Sequence, residues 1–290
     1  MTGQSRPFPS LPELADAHFR HWKSVFEHLT GVQLSLEREG FVRSVLQRRV
    51  LEKGASCFEN YLHQLLSSPA FGRIEWEVLF DKIVIGETRF FRHAPTFGFL
   101  SRYFRDRLRA GHGDGRHLKV WSLGCSTGEE AYSLAMILHR VCRGSAQPAT
   151  FEVTGTDINR TSLEAARRGV YRDIEARGVD EDSAQLFFEN GGNGAMRIRQ
   201  FLKDRVRFLS HNMLEPVTSA LFQNLDVIHC QNVLVYLQRW RRRAVVRQLA
   251  PALKPGGVLV VAEGELSGWK PEGLERMADV GVHAYRRIQE

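Results

Sequence analysis

From residue 20 to residue 108, after a Pro- and Ser-rich opening, apolar positions recur at the spacing of a helix. Phe41, Val42, Val45, Leu46 and Val50 share one stripe, with Arg43 and Arg48 at its edges. Phe58, Tyr61, Leu62 and Leu65 form a second stripe, limited by Pro69, and residues 74–85 carry a third helical pattern. After residue 117 the pattern changes. Apolar runs at 118–123, 151–156, 206–209, 225–229 and 257–262 read as strands, with 282–288 a weaker sixth. Helical patterns at 129–141, 161–168 and 238–253 lie between them. Such alternation predicts a mostly parallel sheet covered on both faces, binding its ligand at the carboxyl ends of the strands where their order reverses. A Gly-rich, charged stretch at 110–116 (AGHGDGR) reads as a linker. The expected organisation is therefore a helical domain with linker at 1–110 and an α/β domain at 111–290. Residues 171–203 are polar, with Gly191, Gly192, Asn193 and Gly194 at their centre. They break the rhythm and are expected to form an insertion at about 171–204, a hairpin or small subdomain.

Composition adds little to this picture. The chain is 43% hydrophobic and 25% charged, ordinary values for a protein that buries a core. No run approaches the roughly 18 apolar residues of a membrane span, and the opening MTGQSRPFPSLPEL lacks the apolar segment of a signal peptide. Cys57, Cys125, Cys142 and Cys230 have no metal or CxxC spacing, so reduced thiols in a cytoplasmic protein are expected. The net charge of +7 is compatible with an acidic protein, nucleic acid or an anionic lipid surface. Its densest cluster is Arg239–Arg243 (RWRRR), with another between Arg102 and Arg109. A solvated helix face and a docking surface both fit such clusters.

Four segments carry candidate chemistry. The first is Gly124-Cys125-Ser126-Thr127-Gly128-Glu129-Glu130, between the first strand and a helix. It lacks the G-x-G-x-x-G fingerprint and any Walker lysine, and its two glutamates would repel a pyrophosphate. They suit a cation such as the sulfonium and ammonium of S-adenosylmethionine. They equally suit the positive end of the helix. The second segment ends the second strand at Thr156-Asp157-Ile158-Asn159. Asp157 stands where an acidic residue commonly accepts from ribose hydroxyls, and Asp157 or Asn159 also fits a helix cap. The third, DVIHCQNVLVYL at 226–237, places Asn232 and Tyr236 just past a strand end, where a substrate or a structural role fits. The fourth is GETRFFR at 86–92, read either as core aromatics with solvated arginines or as a contact with the cofactor.

Together with VRFLSHNML and LKPGGVLVVAE, these segments resemble the CheR-type chemoreceptor glutamate methyltransferases, in order and spacing over nearly the whole chain. The resemblance implies a Rossmann-like S-adenosylmethionine methyltransferase sheet, an N-terminal helical domain and a small inserted antiparallel β-subdomain. It implies methyl transfer from S-adenosylmethionine to receptor glutamates, leaving S-adenosylhomocysteine. By motif, Thr88, Arg92, Glu129, Asp157, Asn212, Met213, Gln231 and Asn232 would bind the cofactor, and Tyr236 would stand near the transferring methyl. The implied partner is the cytoplasmic helical bundle of a chemoreceptor, docked through basic N-terminal helices; here Arg38, Arg43, Arg48, Arg49 and Lys53 offer that charge. No nucleic acid partner and no membrane embedding are expected. Three places depart from the family pattern: Asn is usual where Gly86 stands, Arg where Gln231 stands, and His-Ser-Glu where Glu263-Gly264-Glu265 stands. A methyltransferase acting on a small molecule or RNA, and a non-catalytic module binding S-adenosylmethionine or a nucleotide, stay open as alternatives.

Overall fold

The computed structural model describes residues 14–84, 86, 88–110, 116–175 and 177–288. The chain forms two compact units, residues 1–85 and 86–290. In the first, α1 (Asp16–Thr30), α2 (Glu39–Glu52), α3 (Phe58–Ser67) and α4 (Pro69–Ile83) enclose an aromatic core. Trp22 stacks on Phe26 at 5.0 Å and on Trp76 at 6.1 Å. Pro69 both limits α3 and opens α4, since its missing N–H is no loss in a first helical turn. The third pattern therefore begins five residues earlier than the spacing predicts.

Basic α2 is largely neutralised inside this unit. Arg49 makes a bidentate pair with fully buried Glu75, at 2.7 and 2.6 Å, and also pairs with Glu52. Tyr61 donates to Glu75 at 2.8 Å and Lys53 lies 3.3 Å from it. Arg43 binds Asp16 and Glu39, each at 2.8 Å, over the ring of Phe19. Arg38 donates to the Ile83 carbonyl, while Arg48 is exposed.

The second unit begins earlier than the sequence pattern indicates. Helix α5 (Ala94–Ala110), expected within the helical domain, belongs to it. Phe97, Leu100, Phe104 and Leu108 of α5 join the core beneath the sheet. Tyr103 donates to the carbonyls of Asp226 and Gly256, both at 3.1 Å, and Arg107 pairs with buried Asp226 at 3.2 Å. The helical spacing of α5 is real, but spacing does not reveal which core a helix serves. Most of the expected linker, residues 111–115, lies outside the described residues.

The sheet contains β1 (His117–Leu123), β2 (Thr150–Asp157), β6 (Val206–Ser210), β7 (Leu225–Cys230), β8 (Leu253–Val261), β9 (Leu274–Arg276) and β10 (His283–Arg287). Its order is β6-β2-β1-β7-β8-β10-β9. The first five run parallel, β10 is antiparallel to β8, and β9 to β10. Along β1, Leu118 and Val120 enter the core on one face, and Trp121 and Leu123 the core on the other. Helices α6 (Glu129–Arg143) and α7 (Arg160–Arg168) pack on the first face, and α10 (Arg239–Leu249) on the second. The strand order reverses between β1 and β7, which fixes the crevice at their carboxyl ends.

The interruption after α7 is a small antiparallel sheet of β3 (Val170–Arg172), β5 (Ala195–Ile198) and β4 (Phe188–Gly192). Two short helices, α8 (Glu181–Phe187) and α9 (Gln200–Lys203), flank it. Tyr171 of β3 donates to the Thr127 carbonyl at 2.7 Å, so the inserted sheet holds the loop after β1.

Candidate active site at the carboxyl ends of the strands

The loop after β1 is pinned to the end of β2. The amides of Gly124 and Cys125 both donate to the Thr156 carbonyl, at 2.8 and 2.9 Å. Gly124 (φ 80°) and Gly128 (φ 95°) take left-handed conformations, and a Cβ on either would lie within 2.8 Å of Val233 or Ala166. Glycine is therefore required here by both backbone conformation and packing.

Both acidic residues of the loop are tied down, in different ways. Glu129, at the start of α6, is fully buried. It accepts from Thr127 Oγ1 at 2.6 Å and pairs with Arg177 at 2.7 Å. A buried carboxylate that already holds a guanidinium has the chemistry to hold an ammonium. Glu130 instead accepts from Ser122 Oγ at 2.7 Å and lies 2.9 Å from Nδ1 of buried His229, which stacks on Phe97. It serves the packing between β1, β7 and α5, and Glu129 faces the cationic partner.

Asp157 ends β2 half-buried. Its Oδ2 accepts from the Ser126 amide and its Oδ1 from the Asn159 amide, each at 2.8 Å. Asn159, accepting from the Ser162 amide at 2.7 Å, is the cap of α7. Of the two candidates for the cap, Asn159 takes that role, and Asp157 is the strand-end carboxylate.

Asn212 and Met213 follow β6. Asn212 Oδ1 accepts from the Leu214 amide at 3.1 Å, and Met213 packs on the second core. After β7, Asn232 is exposed with φ 60°, a left-handed conformation that asparagine tolerates better than most residues and that is common at functional loops. Tyr236 closes a short 3-10 turn, Leu234–Tyr236, with its side chain 42% exposed. Gln231 donates from Nε2 to the Val261 carbonyl at 3.1 Å and to Thr96 Oγ1 at 3.2 Å. Its amide group is thus engaged within the protein fold.

The segment at 86–92 combines a core aromatic with exposed arginines. Phe90 is core, packed on Tyr171 and Phe188, while Arg89 and Arg92 are exposed and Thr88 is half-buried. The Phe91 amide donates to Ser133 of α6 at 3.0 Å, and Ser126 donates to the Gly86 carbonyl at 3.2 Å. A Cβ on Gly86 would meet Ser126 Oγ at 2.8 Å. Glycine at 86 is therefore matched to serine at 126.

Two residues that hold the candidate site together were not legible in the sequence. Arg177 lies in the polar insertion, 48 residues from Glu129, and no local pattern links them. Glu265, 4% exposed, accepts from the Ala262 amide at 2.7 Å and the Val235 amide at 3.0 Å. Burial raises its carboxyl above the usual range, against the pull of the amides of Ala262, Val235, Leu234 and Val233. It clamps the turn that carries Asn232 and Tyr236. The signal available was an acidic residue shortly after the strand-end run VLVVA.

A Gly-rich loop without a phosphate fingerprint, a buried acid opening the next helix and a second acid ending the next strand define the class. It is an α/β S-adenosylmethionine-dependent methyltransferase. The family model described as "CheR methyltransferase, SAM binding domain" matches residues 86–278. A chemotaxis protein methyltransferase of Escherichia coli is 33% identical over 255 residues, 87% of this chain and 85% of that protein. The Salmonella typhimurium chemotaxis protein methyltransferase is also 33% identical, over 87% of this chain and 84% of its own length. A probable biofilm formation methyltransferase of Pseudomonas aeruginosa, WspC, is 29% identical over 91% of this chain and 62% of that protein. This chain belongs to the CheR methyltransferase family, and S-adenosylmethionine is its methyl donor.

Proposed function

We propose that the protein methylates glutamate side chains on the cytoplasmic helical bundle of a chemoreceptor, forming glutamyl methyl esters. The observation that carries this reading is a pair of carboxylates beside the loop after β1, Glu129 at the start of α6 buried against a cation and Asp157 at the tip of β2. In it, Glu129 takes the ammonium of S-adenosylmethionine and Asp157 the ribose hydroxyls. Asn212 and Met213 line the adenine, Thr88 and Arg92 close over the cofactor, and Gln231 and Asn232 border the methionine portion. When bound, the cofactor supplies a methyl group on a cationic sulfur. The acceptor carboxylate is already ionised near neutral pH, so its oxygen forms the new bond without a general base. Opposite charges cancel as transfer proceeds, and the protein contributes chiefly position and exclusion of water. Tyr236 orients the acceptor carboxylate by donating a hydrogen bond, held in place by the Glu265 clamp. The protein acts in the cytoplasm, where the receptor bundle lies.

Docking through the N-terminal helices is narrower than the count of basic residues implies. Arg43, Arg49 and Lys53 hold internal carboxylates, which leaves Arg48 as the exposed cation of α2 for such contact. The Tyr236 role is tested by Tyr236→Phe. Turnover with a receptor fragment should fall about ten-fold or more, the scale of a lost orienting contact, while calorimetric cofactor affinity stays within about two-fold. An equal loss of cofactor binding would assign Tyr236 to the cofactor instead.

A further inference from the structure

The RWRRR cluster opens α10, directly after the turn that carries Tyr236. Unlike Arg43 and Arg49 of α2, Arg239, Arg243 and Arg247 have no carboxylate partner among the described residues. Leaving several guanidinium groups uncompensated on one face costs self-repulsion, and an acidic surface arriving from outside would relieve it.

Aromatic rings are interleaved with these cations. Trp240 is 62% exposed, yet its indole donates to Gln238 Oε1 at 2.6 Å and the Arg241 guanidinium lies 4.9 Å from its ring. Trp269 is flanked by Arg243 at 5.7 Å and Arg247 at 5.8 Å. A large ring held in place while facing water loses little freedom on binding, and Trp with Arg is the usual composition of interface anchors. A groove of about 270 Å³ runs beside Trp269, lined by Arg239, Arg242, Arg243 and Leu266 and also by Glu265, whose carboxyl is taken up by backbone amides. Arg242 donates to the Val235 carbonyl at 2.9 Å and the Leu237 carbonyl at 2.8 Å, on either side of Tyr236 in the chain. Val235 and Tyr236 are themselves exposed.

We propose that this basic, aromatic face of α10 docks the acidic helical segment that presents the methyl-accepting glutamate to Tyr236. The inference rests on the glutamate-methylating reading, because the acceptor chemistry is what selects the occupant. A nucleic acid carries no carboxylate to methylate. An acidic helix supplies the acceptor and the complementary charge together, so the cations steer it while the tryptophans fix its register.

The test uses the full chain and a helical receptor fragment carrying the glutamates of its methylation region. Arg239→Glu/Arg243→Glu and, separately, Trp240→Ala should each raise KM for the fragment about ten-fold, with kcat and calorimetric cofactor affinity within about two-fold. Direct binding of a fluorescently labelled fragment should weaken in parallel, and wild-type binding should fall as salt rises. Unchanged KM and unchanged binding in both variants overturn the proposal. So does a wild type that fails to bind the fragment, or that prefers anionic vesicles or RNA to it. A wild type that binds the fragment through these residues but transfers no methyl leaves the docking surface standing and removes the glutamate-methylating reading.

Discussion

Glu129 shows what a single position reveals and what it hides. Its place after a Gly-rich loop suits either a cation or the positive end of the helix, and the fold buries it completely against Arg177. The arginine is invisible to sequence reasoning because it arrives from an insertion that no periodicity connects to α6. The pairing has a consequence for binding. If Glu129 takes the cofactor's ammonium, that ammonium and the Arg177 guanidinium compete for one buried carboxylate. Removing the arginine also leaves an unpaired buried charge in the free protein, which is costly. Both effects act in the same direction. Arg177→Ala should bind S-adenosylmethionine several-fold more tightly and melt at a lower temperature when cofactor-free, as calorimetry and a thermal scan would record. Weaker binding would mean that Arg177 helps to build the pocket. Glu265 carries the same lesson about legibility. Its four amide donors come from two separated segments, and only the folded chain brings them to one carboxylate.

Among the elements, the strands were the most legible. Runs such as LKVWSL and LDVIH are short, apolar and bounded by turns, and each became a strand extended by a residue or so. Short β9 carries too little pattern to be noticed, and α5 was recognised as a helix but assigned to the wrong core. In α2 the cations mislead when read from the sequence alone. Arg49 faces inward, and its partner Glu75 lies 26 residues away on α4. Burial works against the Glu75 carboxylate, but the hydrogen bonds from Arg49 and Tyr61 outweigh it and hold the group below the usual carboxylate range. A depressed folded-state pKa adds stability that is fully present above the unfolded value. It is lost as the pH falls through the folded one. Glu75→Gln should therefore destabilise the helical unit by up to roughly 3–5 kcal/mol at neutral pH, because Arg49 loses its buried charge partner and keeps only the exposed Glu52. The wild type should approach the variant's stability as the solution is acidified below the carboxylate range. Denaturant melts across pH, followed by tryptophan fluorescence, check both statements. A variant equal to wild type at neutral pH would mean that the pair adds nothing to folding.

Across the whole chain, the net charge of +7 divides into cations with internal work and cations without it. Composition gives only the sum, whereas the fold shows α2 largely neutralised and α10 left basic beside the Tyr236 turn. The loop after β1 and the acid ending β2 were readable because they are local motifs. The Glu265 clamp and the uncompensated arginines of α10 were not, because they depend on contacts between distant segments. Gly86 and Gln231, departures from the family pattern, have concrete settings here: one accommodates Ser126, the other binds Thr96 and the Val261 carbonyl. The most direct measurement of the central claim is transfer of a radiolabelled methyl group from S-adenosylmethionine to a chemoreceptor's cytoplasmic fragment, followed by mild base. The expected result is label on the fragment that base releases as methanol, as a carboxyl methyl ester requires, and that is lost when the acceptor glutamates are changed to alanine. Base-stable label, or no transfer by a protein that binds the cofactor, would contradict it.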